Sequence, residues 1–179
     1  QHFLYHMSPK GQAGVVLAKG ALTSKTSGEG EIRKALVSEA NVIDCIVNLP
    51  AKLFLNTQIP AALWFMRRDR VGSTQYKDRS NEILFIDARN LGHLINRRTK
   101  VLSDEDIKLI TDTYHNWRNK DGEYEDVAGF CASVPLEKVA ELDYVLTPGR
   151  YVGLADDEDE FDFKERFTSL KAEFEAQLA

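Results

Sequence analysis

Four short apolar runs constrain the fold more than any other feature of this sequence. AGVVLA (13–18), VIDCIVNLP (42–50), PAALWFMRR (60–68) and ILFID (83–87) are each too short for a core helix and are separated by turn-forming or polar stretches. Runs of this length, rich in Val, Ile and Leu, read as strands buried on both faces. The first, bounded by glycines, is expected as a buried strand of a parallel sheet. Pro60 stands at the first position of its run, where a missing N–H is tolerated. Between the first two runs, EIRKALVSEA (31–40) has a helical period, with Ile32, Ala35 and Leu36 on its packed face. Strand, helix, strand, loop, strand is the order of the second half of a doubly wound α/β sheet. Cut at its centre, such a half-sheet leaves a long apolar edge. Either a longer protein or a second copy of the chain must cover it.

The other elements follow from local signals. HFLYHMS (2–8) reads as two helical turns stopped by Pro9 and Gly11. Asp69–Asn81 is polar and is expected to be a flexible loop. Ser103, with Asp106 three residues on, has capping-box spacing. It starts a helix whose packed face is Ile107, Ile110, Tyr114 and Trp117. Pro135 marks the start of a further helix over 135–142. The acidic hinge DDEDE (156–160) precedes a last helix. There Phe163, Phe167, Leu170, Phe174 and Leu178 fall at 4-3-4-4 spacing, a continuous stripe suited to docking on a partner helix.

Charge and cysteine content narrow the function classes. The net charge of −5 is uneven: nine acidic and three basic residues from Gly153 onward leave the first 152 residues at +1. The overall acidity therefore does not exclude nucleic-acid binding. No apolar run reaches membrane-spanning length and no secretory signal is visible. Cys45 and Cys131 form no CxxC pair and suit free thiols in a reducing cytoplasm. The chain opens on Gln1 with helix already under way, so it is expected to begin inside a larger protein.

Most chemical signatures are absent: no P-loop, HExxH, GxSxG or CxxC occurs. His2 and His6 share a helix face but lack a third ligand in sequence, so no metal site is expected. Gly28-Glu29-Gly30 lies about ten residues beyond its strand and reads as a loop entering a helix. Leu53–Pro60 differs in joining two predicted strands near the place where α/β sheets bind ligands. Both strands are expected to belong to a parallel sheet, and the loop sets Phe54 beside Asn56, Thr57 and Gln58. From spacing alone, Phe54 is either a core residue at the sheet edge or a ligand contact. Two basic clusters, Arg67, Arg68 and Arg70, and Arg97, Arg98 and Lys100, suit either phosphate contact or solvated surface charge.

Three blocks carry a resemblance. GQAGVVLAKGALTSKTSGEGEIRKALVSEANVIDCIVNLPAKLFLNTQIPAALWFMRRDR resembles the latter half of the catalytic domain of type I restriction-modification DNA methyltransferase subunits. ILFIDARNLGHLINRRTKVLSDEDIKLITDTYHNWR is similar to the segment that follows it there. FCASVPLEKVAELDYVLTPGRYVG resembles the family's end, where Arg-Tyr-Val follows a Pro. The resemblance implies a cytoplasmic bacterial adenine-N6 methyltransferase using S-adenosylmethionine on DNA, with a specificity subunit and a restriction subunit as partners. By similarity, Phe54 matches the position after the sixth strand where related enzymes hold the flipped base. Asn56, Thr57 and Gln58 would line the same loop, with Arg67, Arg68, Arg97 and Arg98 on the DNA backbone.

The expected fold is thus α/β: the second half of a Rossmann-like methyltransferase sheet with a helical C-terminal extension. The expected divisions are 1–100, the C-terminal half of the catalytic domain; 101–153, the family's C-terminal segment; and 154–179, hinge and docking helix. The family's FxGxG cofactor motif and Asn-Pro-Pro-aromatic catalytic motif occur nowhere in the 179 residues. This piece alone is therefore expected to bind no cofactor and to be inactive. A non-catalytic assembly or dimerisation module is the alternative reading; another α/β transferase or nucleotide-binding enzyme fits the three blocks less well.

Overall fold

Every residue of β2 (Ile43–Asn48) is buried, and this strand forms the middle of a five-stranded sheet. The computed structural model describes residues 2–154. The expected hinge at 156–160 and the stripe from Phe163 to Leu178 lie outside the described residues. The sheet order is β1 (Gln12–Ala18), β3 (Ala61–Arg67), β2, β4 (Glu82–Asp87) and β7 (Cys131–Pro135). β3 runs antiparallel to both β1 and β2, with Trp64 opposite Val15 and Ile46. β2 and β4 are parallel, with Ile46 opposite Phe85, and β7 returns antiparallel to β4. β1, β2 and β4 therefore all point the same way. The fold is mixed α/β.

The first and third apolar runs depart from the expected parallel sheet, β3 lying antiparallel to both of its neighbours. β1 is an edge strand, antiparallel to its neighbour, with Val16 56% exposed. An apolar run of this length specifies an extended segment but not the number of neighbours it will find.

Alternation along the strands separates two cores. On one face Ile46, Ala62, Trp64, Phe85 and Val134 pack against Leu22, Val37, Val139, Leu146 and Val152. These covering residues come from the 3-10 turn after β1 (Lys19–Leu22), from the π-helical turn (Ala35–Glu39) that continues α2 (Glu29–Lys34), from α4 (Leu136–Glu141), and from the chain around 145–152. α4 starts behind Pro135, as expected. α2 does not turn Ile32 inward: Ile32 is exposed and Arg33 is buried in its place. The Arg33 guanidinium donates to the carbonyls of Tyr144, Ala21 and Ser24 at 3.0, 3.2 and 2.6 Å. Buried carbonyls need donors that an aliphatic side chain cannot supply.

On the other face Cys45, Val47, Leu84, Ile86 and Cys131 pack under α3 (Asp104–Arg118). Both cysteines are free and buried, and burial pushes their thiols above the ordinary range. The capping box is present: Ser103 Oγ accepts from Asp106 N at 3.1 Å, and Asp106 Oδ2 accepts from Ser103 N at 2.8 Å. Of the expected face, Trp117 is buried and Ile110 and Tyr114 are half-buried, but Ile107 is exposed. α1 (His2–His6) lies ahead of β1. Among the described residues no helix is long and apolar enough to cross a membrane.

The polar stretch 69–81 is a loop, but it is pinned. Arg70 and Arg79 are 2% and 1% exposed and both reach Asp44 Oδ1, at 3.2 and 3.3 Å. Arg70 is therefore no surface cation. A buried carboxylate in β2 requires paired cations, and the returning chain supplies them.

Candidate functional site

Because β1, β2 and β4 are parallel, their C-terminal ends and the loops after them share one edge of the sheet. Ligands of open α/β sheets bind outside such an edge. Backbone bonds tie the loops together: Lys19 N donates to Pro60 O at 3.0 Å, Ala88 N to Asn48 O at 2.9 Å, and Lys100 N to Lys52 O at 2.9 Å. Lys52 Nζ also donates to Arg97 O at 3.3 Å.

The loop from β2 to β3 folds back on itself. Phe54 pairs with Thr57 in an isolated antiparallel bridge, and Thr57 Oγ1 accepts from Ile59 N at 3.2 Å. Lys52 enters this turn in the left-handed region, at φ 68°. The result is an exposed apolar tip: Phe54 is 42% exposed, and Leu55 and Ile59 more so. Asn56, Thr57 and Gln58 stand exposed beside them. Phe54 is therefore not a core residue of this chain. A clustered aromatic and aliphatic tip among polar side chains is the kind of surface that meets a ligand face.

Arg97 and Arg98 sit at the tip of a neighbouring hairpin, between β5 (His93–Leu94) and β6 (Lys100–Val101). Asn96 Oδ1 accepts from Arg98 N and Thr99 N, both at 2.8 Å, which shapes the turn and leaves both arginines exposed. Gly92 takes φ 78°, where a Cβ would stand 2.7 Å from Val101 O. Its N–H donates to Asp106 Oδ2 at 3.1 Å, joining this hairpin to the cap of α3.

Behind these loops lies a group that sequence reasoning missed. Asp87, at the end of β4, is 6% exposed and holds the half-exposed Arg89 through Nε at 2.8 Å and Nη2 at 2.6 Å. The bond to Asp87 raises the Arg89 guanidinium above its ordinary range. Asn48 Nδ2 donates to Asp87 Oδ1 at 3.3 Å. The available signal was an Asp and an Arg two apart at the end of an apolar run.

Arg67 and Arg68 are elsewhere. β3 runs opposite to β2, so these residues leave the sheet at its other edge, about 20 Å from the Phe54 loop for a strand of this length. Arg68 is exposed and donates to Leu4 O. Arg67 is half-buried, donates to Asp69 O at 2.9 Å, and lies over the Tyr76 ring at 5.0 Å. At this amino edge Asp44 also accepts from the Tyr114 hydroxyl at 2.7 Å; burial and that carboxylate push the phenol above its ordinary range. The eight residues expected at one nucleic-acid surface thus divide, six at the carboxyl edge and two at the amino edge.

Gly28 and Gly30 border a cavity of about 200 Å3 with Lys25, Lys34 and Asp143, at the start of α2 and not at a strand end. The His2 and His6 rings stand 4.4 Å apart, and among the described residues no group of three His, Cys, Asp or Glu side chains is placed to hold a metal ion.

The N-6 DNA Methylase family model matches residues 1–160. The type I restriction enzyme HindI methylase subunit of Haemophilus influenzae is 46% identical over 180 residues, covering 100% of this chain and 39% of the relative. The MjaIX methylase subunit of Methanocaldococcus jannaschii is 39% identical over 180 residues, covering 99% of this chain and 31% of the relative. The crystal structure of a type I restriction-modification methyltransferase subunit from Streptococcus thermophilus matches with a TM-score of 0.68 and 31% identity, covering 84% of this chain and 28% of that one. The type I restriction enzyme EcoKI M protein, at 15% identity and a TM-score of 0.64, shares the fold; the match covers 88% of this chain and 38% of that one. The chain thus spans about two fifths or less of the length of these relatives.

Proposed function

The chain belongs to the N-6 DNA methylase family, and from that premise we propose that its protein is a type I restriction-modification DNA methyltransferase, transferring a methyl group from S-adenosylmethionine to adenine N6. The observation that carries this reading is Phe54: an aromatic held out of the core on a turn at the carboxyl edge of three parallel strands. A target base must leave the duplex before its amino group can react, and its exposed face then needs a stacking partner. Asn56, Thr57 and Gln58 offer hydrogen-bonding groups beside that ring, and Arg97 and Arg98 offer guanidiniums to the DNA backbone on the adjoining hairpin. We read the sheet as the second half of a Rossmann-like methyltransferase sheet.

The glycines at 28 and 30 lie at a helix start remote from a strand end, and the FxGxG and Asn-Pro-Pro-aromatic motifs do not occur in the 179 residues. No chemical step is therefore assigned to this chain. Its part is to hold the base and contact DNA, and by itself it neither binds the methyl donor nor methylates.

A second reading, assembly, is favoured by a separate observation. The outer flank of β1 has no partner strand among the described residues. Beside it lies an apolar cavity of about 340 Å3, lined by Phe3, Leu4, Val15, Leu17, Ile32 and Trp64. Trp64 is 4% exposed and its indole N–H has no partner. Such an edge suits pairing with further polypeptide, whether of a longer protein or of a second copy. Docking of the specificity subunit on Phe163, Phe167, Leu170, Phe174 and Leu178 rests on sequence alone.

The test is Phe54→Ala in the full-length protein. Base stacking is worth about 1–3 kcal/mol, so methylation efficiency should fall about tenfold or more while S-adenosylmethionine binding is unchanged. Undiminished methylation in this variant would remove Phe54 from the base site.

A further inference from the structure

A cavity of about 470 Å3 opens between α3 and the β1–β3 flank, at the amino edge and away from the Phe54 loop. Its wall carries Arg67, Arg118, His115, Phe65 and Tyr114. Phe65 and Tyr114 are stacked with centroids 6.0 Å apart and planes 27° from parallel. Arg67 leaves β3 and Arg118 ends α3, yet both guanidiniums converge on the Tyr76 ring, at 5.0 and 4.5 Å from its centroid.

The charges around this cavity do not balance. Arg67 and Arg118 are half-buried, and among the described residues neither makes an ion pair. The carboxylate on the wall is Asp44, and it is engaged elsewhere: Arg70 and Arg79 share one oxygen and the Tyr114 hydroxyl donates to the other. Among the side chains that line the cavity, two guanidiniums thus stand beside one carboxylate that is already paired elsewhere. A cleft whose wall carries an excess of one sign of charge concentrates counter-ions.

The helix dipole explains a cation at the end of α3, and ring stacking explains one guanidinium over Tyr76. Neither explains why Arg67 and Arg118, from different elements, join Arg79 over one ring, where the like charges repel. An anion bound by both would offset that repulsion. Each arginine uses Nε on its own neighbourhood, Arg67 on Asp69 O and Arg118 on Asn119 Oδ1, so the Nη groups remain to serve an incoming oxyanion. The planar fork matches two oxygens of a phosphate. The stacked Phe65–Tyr114 pair gives an apolar wall for the sugar or base attached to it.

We propose that this cavity is a phosphate site, with Arg67 and Arg118 as its ligands and a nucleic-acid strand as the source of the phosphate. The phosphate chemistry is independent of the methylase reading; only the strand as its source rests on it. In the full-length protein, the His115 ring resonances are followed by NMR while inorganic phosphate, adenosine monophosphate or a short single-stranded oligonucleotide is added. A saturable shift with phosphate is expected. It should be lost in Arg67→Gln/Arg118→Gln and retained in Lys138→Gln, whose side chain lies on α4, outside the cavity wall. The oligonucleotide should displace phosphate, and the double variant should lower the slope of log affinity against log salt by about one to two units. A wild-type protein showing no saturable shift overturns the proposal even if the double variant fails to fold, as does an equal shift in a folded double variant. Saturation by phosphate and the mononucleotide without oligonucleotide binding upholds the anion site and overturns the strand as its source. Loss of methylation in Phe54→Ala bears on the base site alone, so the two readings fail separately.

Discussion

At the amino edge of the sheet Arg70 and Arg79 are buried against Asp44, whereas at the carboxyl edge Arg97 and Arg98 stand exposed on a hairpin turn. Both pairs come from polar connecting segments of similar composition. Asp44 makes the difference: it sits in a strand buried along its whole length, where an ionised carboxylate is tolerated only with paired cations and hydrogen bonds. Among the described residues the other buried carboxylate is Asp87, at the carboxyl edge, and it is taken by Arg89. One edge therefore directs its charge inward and locks the loop from β3 to β4. The other keeps charge and an aromatic outward, where a nucleic acid would meet them.

The contrast breaks first at Asp44. Asp44→Ala leaves two buried guanidiniums without a carboxylate and should cost about 3–5 kcal/mol, measured by chemical denaturation. A variant as stable as the parent would mean that the amino edge is no lock. Phe54→Ala should do the reverse. Its folding stability should change by no more than about 0.5 kcal/mol, while methylation by the full-length protein falls as given above; a loss of stability comparable to that of Asp44→Ala would make Phe54 part of a core. Next in size is the exposed pair. Arg97→Ala/Arg98→Ala should lower the slope of log affinity for DNA against log salt by about two units. An unchanged slope would assign both arginines to solvated surface.

The smallest effect concerns the cap that joins the carboxyl-edge hairpin to α3. Ser103→Ala should cost about 1 kcal/mol. The backbone N–H of Ser103 and then its side chain, with the N–H of Gly92, hold the Asp106 carboxyl below its ordinary value of 3.8. A depressed folded value means that this contribution is fully present above the ordinary value and is lost as pH falls through the folded one. Melting curves of the parent should therefore show an acid-side decline below about pH 4, smaller in Asp106→Asn. Identical acid profiles for the two proteins would show that the cap does not depend on the charge of Asp106.

Much of the framework was legible because it is local. The apolar runs around 43–48, 61–67 and 82–87 are strands, the Ser103–Asp106 spacing is a capping box, and Pro135 precedes a helix. Phe54 with its polar neighbours could be singled out because an aromatic between two strand runs is conspicuous in one dimension. The readings that failed were those of partnership. Ile32 and Arg33 are adjacent, and periodicity favoured the aliphatic one, but three loop carbonyls wait on the inner side and only the guanidinium answers them.

What the sequence determined by itself was therefore which segments are extended, where helices begin, and which family the chain resembles, since each follows from neighbours within a few residues or from an ordered series of blocks. Only the tertiary structure decided that β3 lies antiparallel between β1 and β2, that β1 is an edge, and that Arg67 and Phe54 stand at opposite ends of the strands. It also decided that Asp44 meets Arg70 and Arg79, 26 and 35 residues away. Strand order and charge pairing are set by contacts between distant segments competing for the same buried space, and a local pattern carries no record of which competitor wins.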